Sequence, residues 1–136
     1  MESIDLANES AWTAKFGGTE QYAVVPSPPD SLLAGREVTL MVVCEGQAFS
    51  QRDREHARLR WNGLSRVLRH ALGRMILHLS LRDEREFLDS YGVPTVMLTA
   101  GDFESWSLSF ERNCQPVSSI FCDWHNDEVT DVWVAD

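Results

Sequence analysis

Lysine is nearly missing from this 136-residue chain: Lys15 stands alone against eleven arginines, while aspartate and glutamate together number 21. That preference suggests the coding bias of a GC-rich genome and an expected bacterial origin. No apolar stretch approaches the roughly 20 residues of a membrane-spanning helix, so no membrane role is expected. The first residues, Met1-Glu2-Ser3-Ile4-Asp5, lack the basic start and apolar run of a secretory signal, and the expected location is the cytoplasm. Cysteine is scarce. Cys44, Cys114 and Cys122 make an odd set at unmatched spacings, which suits reduced thiols and argues against a disulfide framework. The eight glycines never fall into GxGxxG or GxxxxGK[ST], so the common phosphate-cradling loops are absent. No G-x-S-x-G nucleophile elbow occurs either. Internal repeats and low-complexity tracts are lacking.

What remains is an ordinary globular composition, 43% hydrophobic and 24% charged, in a chain of single-domain length. Such a chain buries roughly two thirds of its unfolded surface and needs no metal or disulfide to hold it. The net charge of −9 is unevenly spread. Residues 1–49 carry seven acids and two bases, residues 50–85 nine arginines and four acids, and residues 86–136 ten acids and one base. A basic middle therefore lies between two acidic flanks.

Residues 1–20 are polar, with Trp12 and Phe16 spaced for one face of a short helix; the alternative is a loosely ordered arm. Tyr22–Val25 reads as a short strand, and Pro26–Asp30 as a rigid loop. In the strand expected over 36–45, Val38, Leu40, Val42 and Cys44 alternate with Thr39, Met41 and Val43. Apolar residues on both faces imply a central strand, partly covered on each side. Ser50 and Asp53 have the spacing of a capping box. Beyond them Ala57, Trp61, Leu64, Leu68, Ala71, Leu72, Met75 and Leu79 recur at three- and four-residue steps, which predicts one long helix over about 51–80 with a weak point at Gly73. A competing pattern ends the helix at Gly73 and reads Met75, Leu77, Leu79 and Leu81 as a strand. Asp83 caps a short helix over about 83–91 that Gly92 would close. From Thr95 onward, apolar–polar alternation and turns at Gly101-Asp102, Asn113–Pro116 and His125–Asp127 describe a β-meander. The predicted class is α+β: an antiparallel sheet, made of the meander and strand 36–45, packed against the long helix and the short one.

Candidate chemistry is thin. Cys114, Cys122 and His125 lie near one another, but seven residues separate the cysteines, more than the two to four typical of paired zinc ligands. His56, His70 and His78 stand fourteen and eight apart, without the adjacent-turn pair of a metal helix. No metal or cofactor is expected. Two surfaces remain. One is the acidic meander, where Asp123, Asp127, Glu128 and Asp131 surround Trp124 as an anchor. The other is the outer helix face carrying Arg52, Leu59, Arg66, Arg74 and Leu77, since arginine is enriched at interface cores. Nucleic acid is disfavoured by the overall negative charge. These features predict a binding or inhibitory protein, monomeric or homodimeric. It would cover a basic site on a partner protein, as an immunity protein or a phage-type inhibitor would. The alternatives are a small enzyme with a pocket between helix and sheet, and a homodimeric accessory protein.

Overall fold

A computed structural model describes residues 5–28, 32–33, 36–113 and 118–135. Seven strands form one sheet whose spatial order is the order of the chain: β1 (Thr13–Lys15), β2 (Glu20–Pro26), β3 (Glu37–Val43), β4 (Tyr91–Thr99), β5 (Asp102–Arg112), β6 (Ser119–His125) and β7 (Glu128–Ala135). Between β3 and β4 come the helices α1 (Gln51–Asn62), α2 (Leu64–Leu79) and α3 (Glu84–Ser90). The expected α+β architecture is present, a mostly antiparallel sheet with helices packed on it. Its one parallel pair is β3 with β4. Parallel neighbours need a crossover of a dozen or more residues, and the three helices supply it.

The capping box forms as its spacing predicts. Ser50 Oγ accepts from the Asp53 amide at 3.2 Å, and Asp53 Oδ2 accepts from the Ser50 amide at 2.8 Å. The long helix, however, divides at Gly63 rather than weakening at Gly73. Gly63 (φ −88°, ψ 0°) closes α1 and opens α2, in the sparsely populated region between helix and strand. The two halves bury different chemistry. On α1 the buried side chains are Asp53, Arg54, His56 and Ala57; on α2 they are Leu64, Val67, Leu68, Ala71, Leu72 and Met75. A break lets each half present its own face to the sheet. Gly73 lies exposed in mid-helix, with open space around it. Helix continues to Leu79, which removes the competing strand, and Ser80 ends it in the left-handed conformation (φ 58°).

Asp83 caps α3 by accepting from the Glu86 amide. The chain passes directly into β4 at Tyr91, so Gly92 belongs to the strand and does not close the helix. Its lack of a side chain has another cause: a Cβ there would stand 2.6 Å from Asn113 Oδ1. Pro26 likewise lies in a strand, as the last residue of β2. Trp12 and Phe16 do not share a helical face. Trp12 is buried, donating from Nε1 to Leu6 O, while Phe16 is exposed. Arg54 holds the same segment through Ala7 O at 2.9 Å.

Alternation assigns the two sides of the sheet. Ala23, Val25, Val38, Leu40, Val42, Val96, Leu98, Trp106, Leu108, Phe110, Ile120, Cys122 and Trp124 face the helices and are buried with the apolar stripe of α2. The opposite side has no covering layer among the described residues. The second face of β3, expected to be partly covered, is half-buried at Thr39, Met41 and Val43 between its strand neighbours, with no helix among the described residues over it.

Candidate functional site

Register builds the open face row by row. One row runs Tyr22, Met41, Met97, Ser107, Asp123, Asp131; the next runs Val24, Thr39, Thr95, Ser109, Phe121, Trp133. Trp133, 40% exposed, stacks on Phe121 with ring centroids 4.2 Å apart. Its Nε1 donates to Asp123 Oδ2 at 2.8 Å, while Asp123 Oδ1 accepts from Ser107 Oγ at 2.7 Å. Tyr22 donates its hydroxyl to Glu20 beside Lys15, whose ammonium lies 4.6 Å from the Tyr22 ring centroid. Lys15 is the only lysine or arginine that register puts on this face among the described strand residues.

The five residues predicted for the acidic surface are thus divided. Asp123 and Asp131 are opposite each other in register, and like charges so placed repel. Glu128 pairs in register with His125 near the same edge. Trp124 is not on the surface. It is 2% exposed, stacked on Trp106 at 5.1 Å and met edge-on by His70 at 5.8 Å. Sequence alternation had the information to exclude it, since Cys122 and Trp124 share the parity of Ile120. The accessible tryptophan beside the carboxylates is Trp133. Asp127, in the β6–β7 turn, points the other way: Oδ1 lies 4.0 Å from Arg60 Nη1 and 3.8 Å from Arg66 Nη2.

The five residues predicted for the second surface are all exposed, but they divide between α1 (Arg52, Leu59) and α2 (Arg66, Arg74, Leu77). Leu59 is 62% and Leu77 77% exposed. The arginines do not act together. Arg52 lies over the Phe103 ring at 4.0 Å, Arg66 faces Asp127, and Arg74 borders a shallow groove with Leu77, His78 and Thr130. The helix residue that sequence reading missed is Arg60. Its guanidinium lies 5.0 Å from the Trp106 centroid, donates from Nε to His56 Nε2 at 3.0 Å, and from Nη2 to Phe103 O at 3.4 Å. Its His56 partner is one helical turn away, but the partners that place it in a site, Phe103 and Trp106 of β5 and Asp127 of the β6–β7 turn, are distant in sequence, so no local pattern marks it.

His56 is buried, and that burial, with Arg60 beside it, holds its pKa below the usual 6.5 against the opposing pull of Asp102 and Asp53. A neutral imidazole is what lets Nε2 accept from Arg60, so the lone pair is already engaged and is not free to act as a base. The consequence for stability has a definite sign. Between the unfolded value near 6.5 and the lower folded value, the unfolded chain binds more protons. Stability is full above pH 6.5 and declines as pH falls through that window. Urea midpoints for wild type and His56→Gln, followed from pH 7.5 to 5, are expected to converge as the pH falls. Parallel curves would exclude His56 as the source.

No three His, Cys, Asp or Glu side chains among the described residues gather to hold a metal ion. Cys122 faces the helices, where burial pushes its thiol up to about 12, and His125 points to the open side; Cys114 lies outside the described residues. Between α2 and the sheet the space is filled by fully buried Leu64, Leu68, Leu72 and Met75 against Leu108 and Ile120. No helix among the described residues is long and apolar enough to cross a membrane. The fold defines a class, a one-sided α+β sheet with one face open, and within it no family model, curated protein or solved structure matches the chain.

Proposed function

We propose that the chain is a non-enzymatic binding or inhibitory protein, working in the cytoplasm, whose open sheet face covers a basic site on a partner protein. The observation that carries this reading is the segregation of charge across the sheet. Arginines populate the helical layer, while the open face sets Tyr22, Val24, Met41, Met97, Phe121 and Trp133 among carboxylates, with Lys15 as its one lysine or arginine among the described strand residues. Interfaces favour such aromatic and methionine centres with polar rims, and negative potential steers a basic partner at a salt-dependent rate. A second copy of the chain would bring carboxylates against carboxylates, which disfavours homodimerisation through this face. Trp133 takes the anchoring role, with Asp123, Asp131 and Glu128 at the rim.

The test starts from a partner captured from source cells and purified. Trp133→Ser and Asp131→Lys are each expected to weaken the complex at least about tenfold, or about 1.4 kcal/mol, and added salt to weaken it further. Asp131→Lys also replaces a repulsive cross-strand pair by an attractive one, so its melting temperature should rise while affinity drops. Binding indifferent to both substitutions and to salt would sink the reading.

A further inference from the structure

The groove on the helical side, where α1 breaks into α2, has a chemistry opposite to that of the open face. Its volume is about 270 Å³, and Arg60, Arg66, Phe103, Trp106, Asn126 and Asp127 line it. Arg60 is held in place before any ligand arrives. Its side chain is 11% exposed, with the ring of Trp106 on one side and His56 and Phe103 O fixing Nε and Nη2. A guanidinium fixed in this way loses little freedom when it binds. Arg66 reaches in from the first turn of α2, and a helix start itself favours negative charge. Two cations therefore converge where the fold supplies one carboxylate.

That carboxylate does not complete the site. Charge-assisted N–H···O⁻ bonds span about 2.7–2.9 Å, whereas Asp127 Oδ1 stands 4.0 and 3.8 Å from the two guanidinium nitrogens. It neutralises part of the field across a gap and leaves donors unused. Its side chain is 68% exposed, on a turn whose neighbour Asn126 adopts φ 54°, so solvent is open to it if displaced. Burial presses the Arg60 pKa below its ordinary value; Asp127 opposes this and Arg66 adds to it. A closely bound anion would relieve that cost.

The geometry points to an oxyanion-binding site between the Gly63 break and the β6–β7 turn, taking a carboxylate or phosphate carried on a small flat apolar body, with Asp127 as the built-in competitor. The oxyanion bridges Arg60 Nη1 and Arg66 Nη2. The apolar body lies against Phe103 and the exposed Leu59, with Trp106, nearly enclosed beneath Arg60, as the floor of the groove. The site is independent of the open face, which lies on the other side of the sheet.

Calorimetric titration of the full chain with phenyl phosphate, benzoate and inorganic phosphate tests this, with arginine Nε–H resonances as the structural readout. One of the two aryl anions is expected to bind saturably and about tenfold tighter than inorganic phosphate, moving the Arg60 resonance; which of the two does so distinguishes a phosphate from a carboxylate ligand. Asp127→Asn is expected to tighten binding several-fold, because the competitor is gone. Arg66→Gln, at a side chain 76% exposed, is expected to abolish binding with melting unchanged, and Trp133→Ser to leave it intact. The proposal is overturned if none of the three anions binds saturably to wild type and Asp127→Asn, or if Asp127→Asn leaves affinity equal or lower.

Discussion

Trp124→Ala is expected to destabilise the fold by about 3–5 kcal/mol, the range for truncating a large buried aromatic. The indole is almost wholly enclosed, flat against Trp106 and met by His70, so its loss opens a cavity between the sheet and α2. Its Nε1 has no nitrogen or oxygen partner among the described residues and only the Cys122 sulfur, a weak acceptor, beside it. An unmet buried donor carries a desolvation cost of about 1–3 kcal/mol. Trp124→Phe, which keeps a ring and removes that donor, is therefore expected to cost about 1 kcal/mol, far less than loss of size alone implies. Trp133→Ala should lie near 1 kcal/mol as well, since it forfeits one stacked pair and one exposed hydrogen bond. Urea denaturation of the three variants checks the order. A Trp124→Ala midpoint near that of wild type would place this residue outside the core.

Asp53→Ala comes next, with an expected loss of about 2–4 kcal/mol. The carboxylate is 4% exposed and does three jobs. Oδ2 accepts from the Ser50 amide and hydroxyl, both at 2.8 Å, and Oδ1 accepts from the Gly101 amide at 2.9 Å. Alanine keeps the Ser50 cap on the backbone amide of residue 53 but loses its reciprocal half, leaving the Ser50 amide and an amide of the β4–β5 turn unmet. Asp53→Asn keeps one acceptor and should recover about half the loss. Ser50→Ala removes only the cap and should cost about 1 kcal/mol. If Asp53→Ala proved no worse than Ser50→Ala, the tie to Gly101 would be energetically empty.

Asp53 also shows where sequence reading reached and where it stopped. Ser50 and Asp53 are three apart, so the cap is local and visible in the string. The bond to Gly101 joins residues 48 positions apart, and no local pattern carries it. The same division holds elsewhere. The serines of β5 lie on one side and Trp106, Leu108 and Phe110 on the other, as alternation predicts. The three-and-four spacing runs through Gly63 unbroken and so hides the break, which reflects the polar face of α1: buried Asp53 and Arg54 bond the distant Gly101 amide and Ala7 carbonyl, and His56 bonds Arg60. For the candidate sites, the carboxylates of the last fifty residues were legible as a group. Their orientation was not, because Asp127 turns to the arginines while Asp123 and Asp131 turn away from them. Trp124 and Trp133 differ by nine residues, an odd number that across a two-residue turn would put both on one face; the bulge between Asp123 and Trp124 shifts the register and turns Trp133 to the other face, and no local pattern marks that bulge.

The parallel seam between β3 and β4 has a temporal meaning. Every other neighbouring pair of strands is joined by a short stretch of chain, whereas β3 ends at Val43 and its partner begins at Tyr91. A growing polypeptide therefore releases half a sheet, with an apolar edge, well before the strand that completes it has been synthesised. Non-local pairings of this kind form late and slowly, and such edges are where nascent chains stick to one another. The two locally connected halves, β1–β3 and β4–β7, are expected to gain amide protection in pulse-labelled refolding before the amides of the β3–β4 seam. Seam amides protected as early as those within either half would show that the crossover imposes no delay.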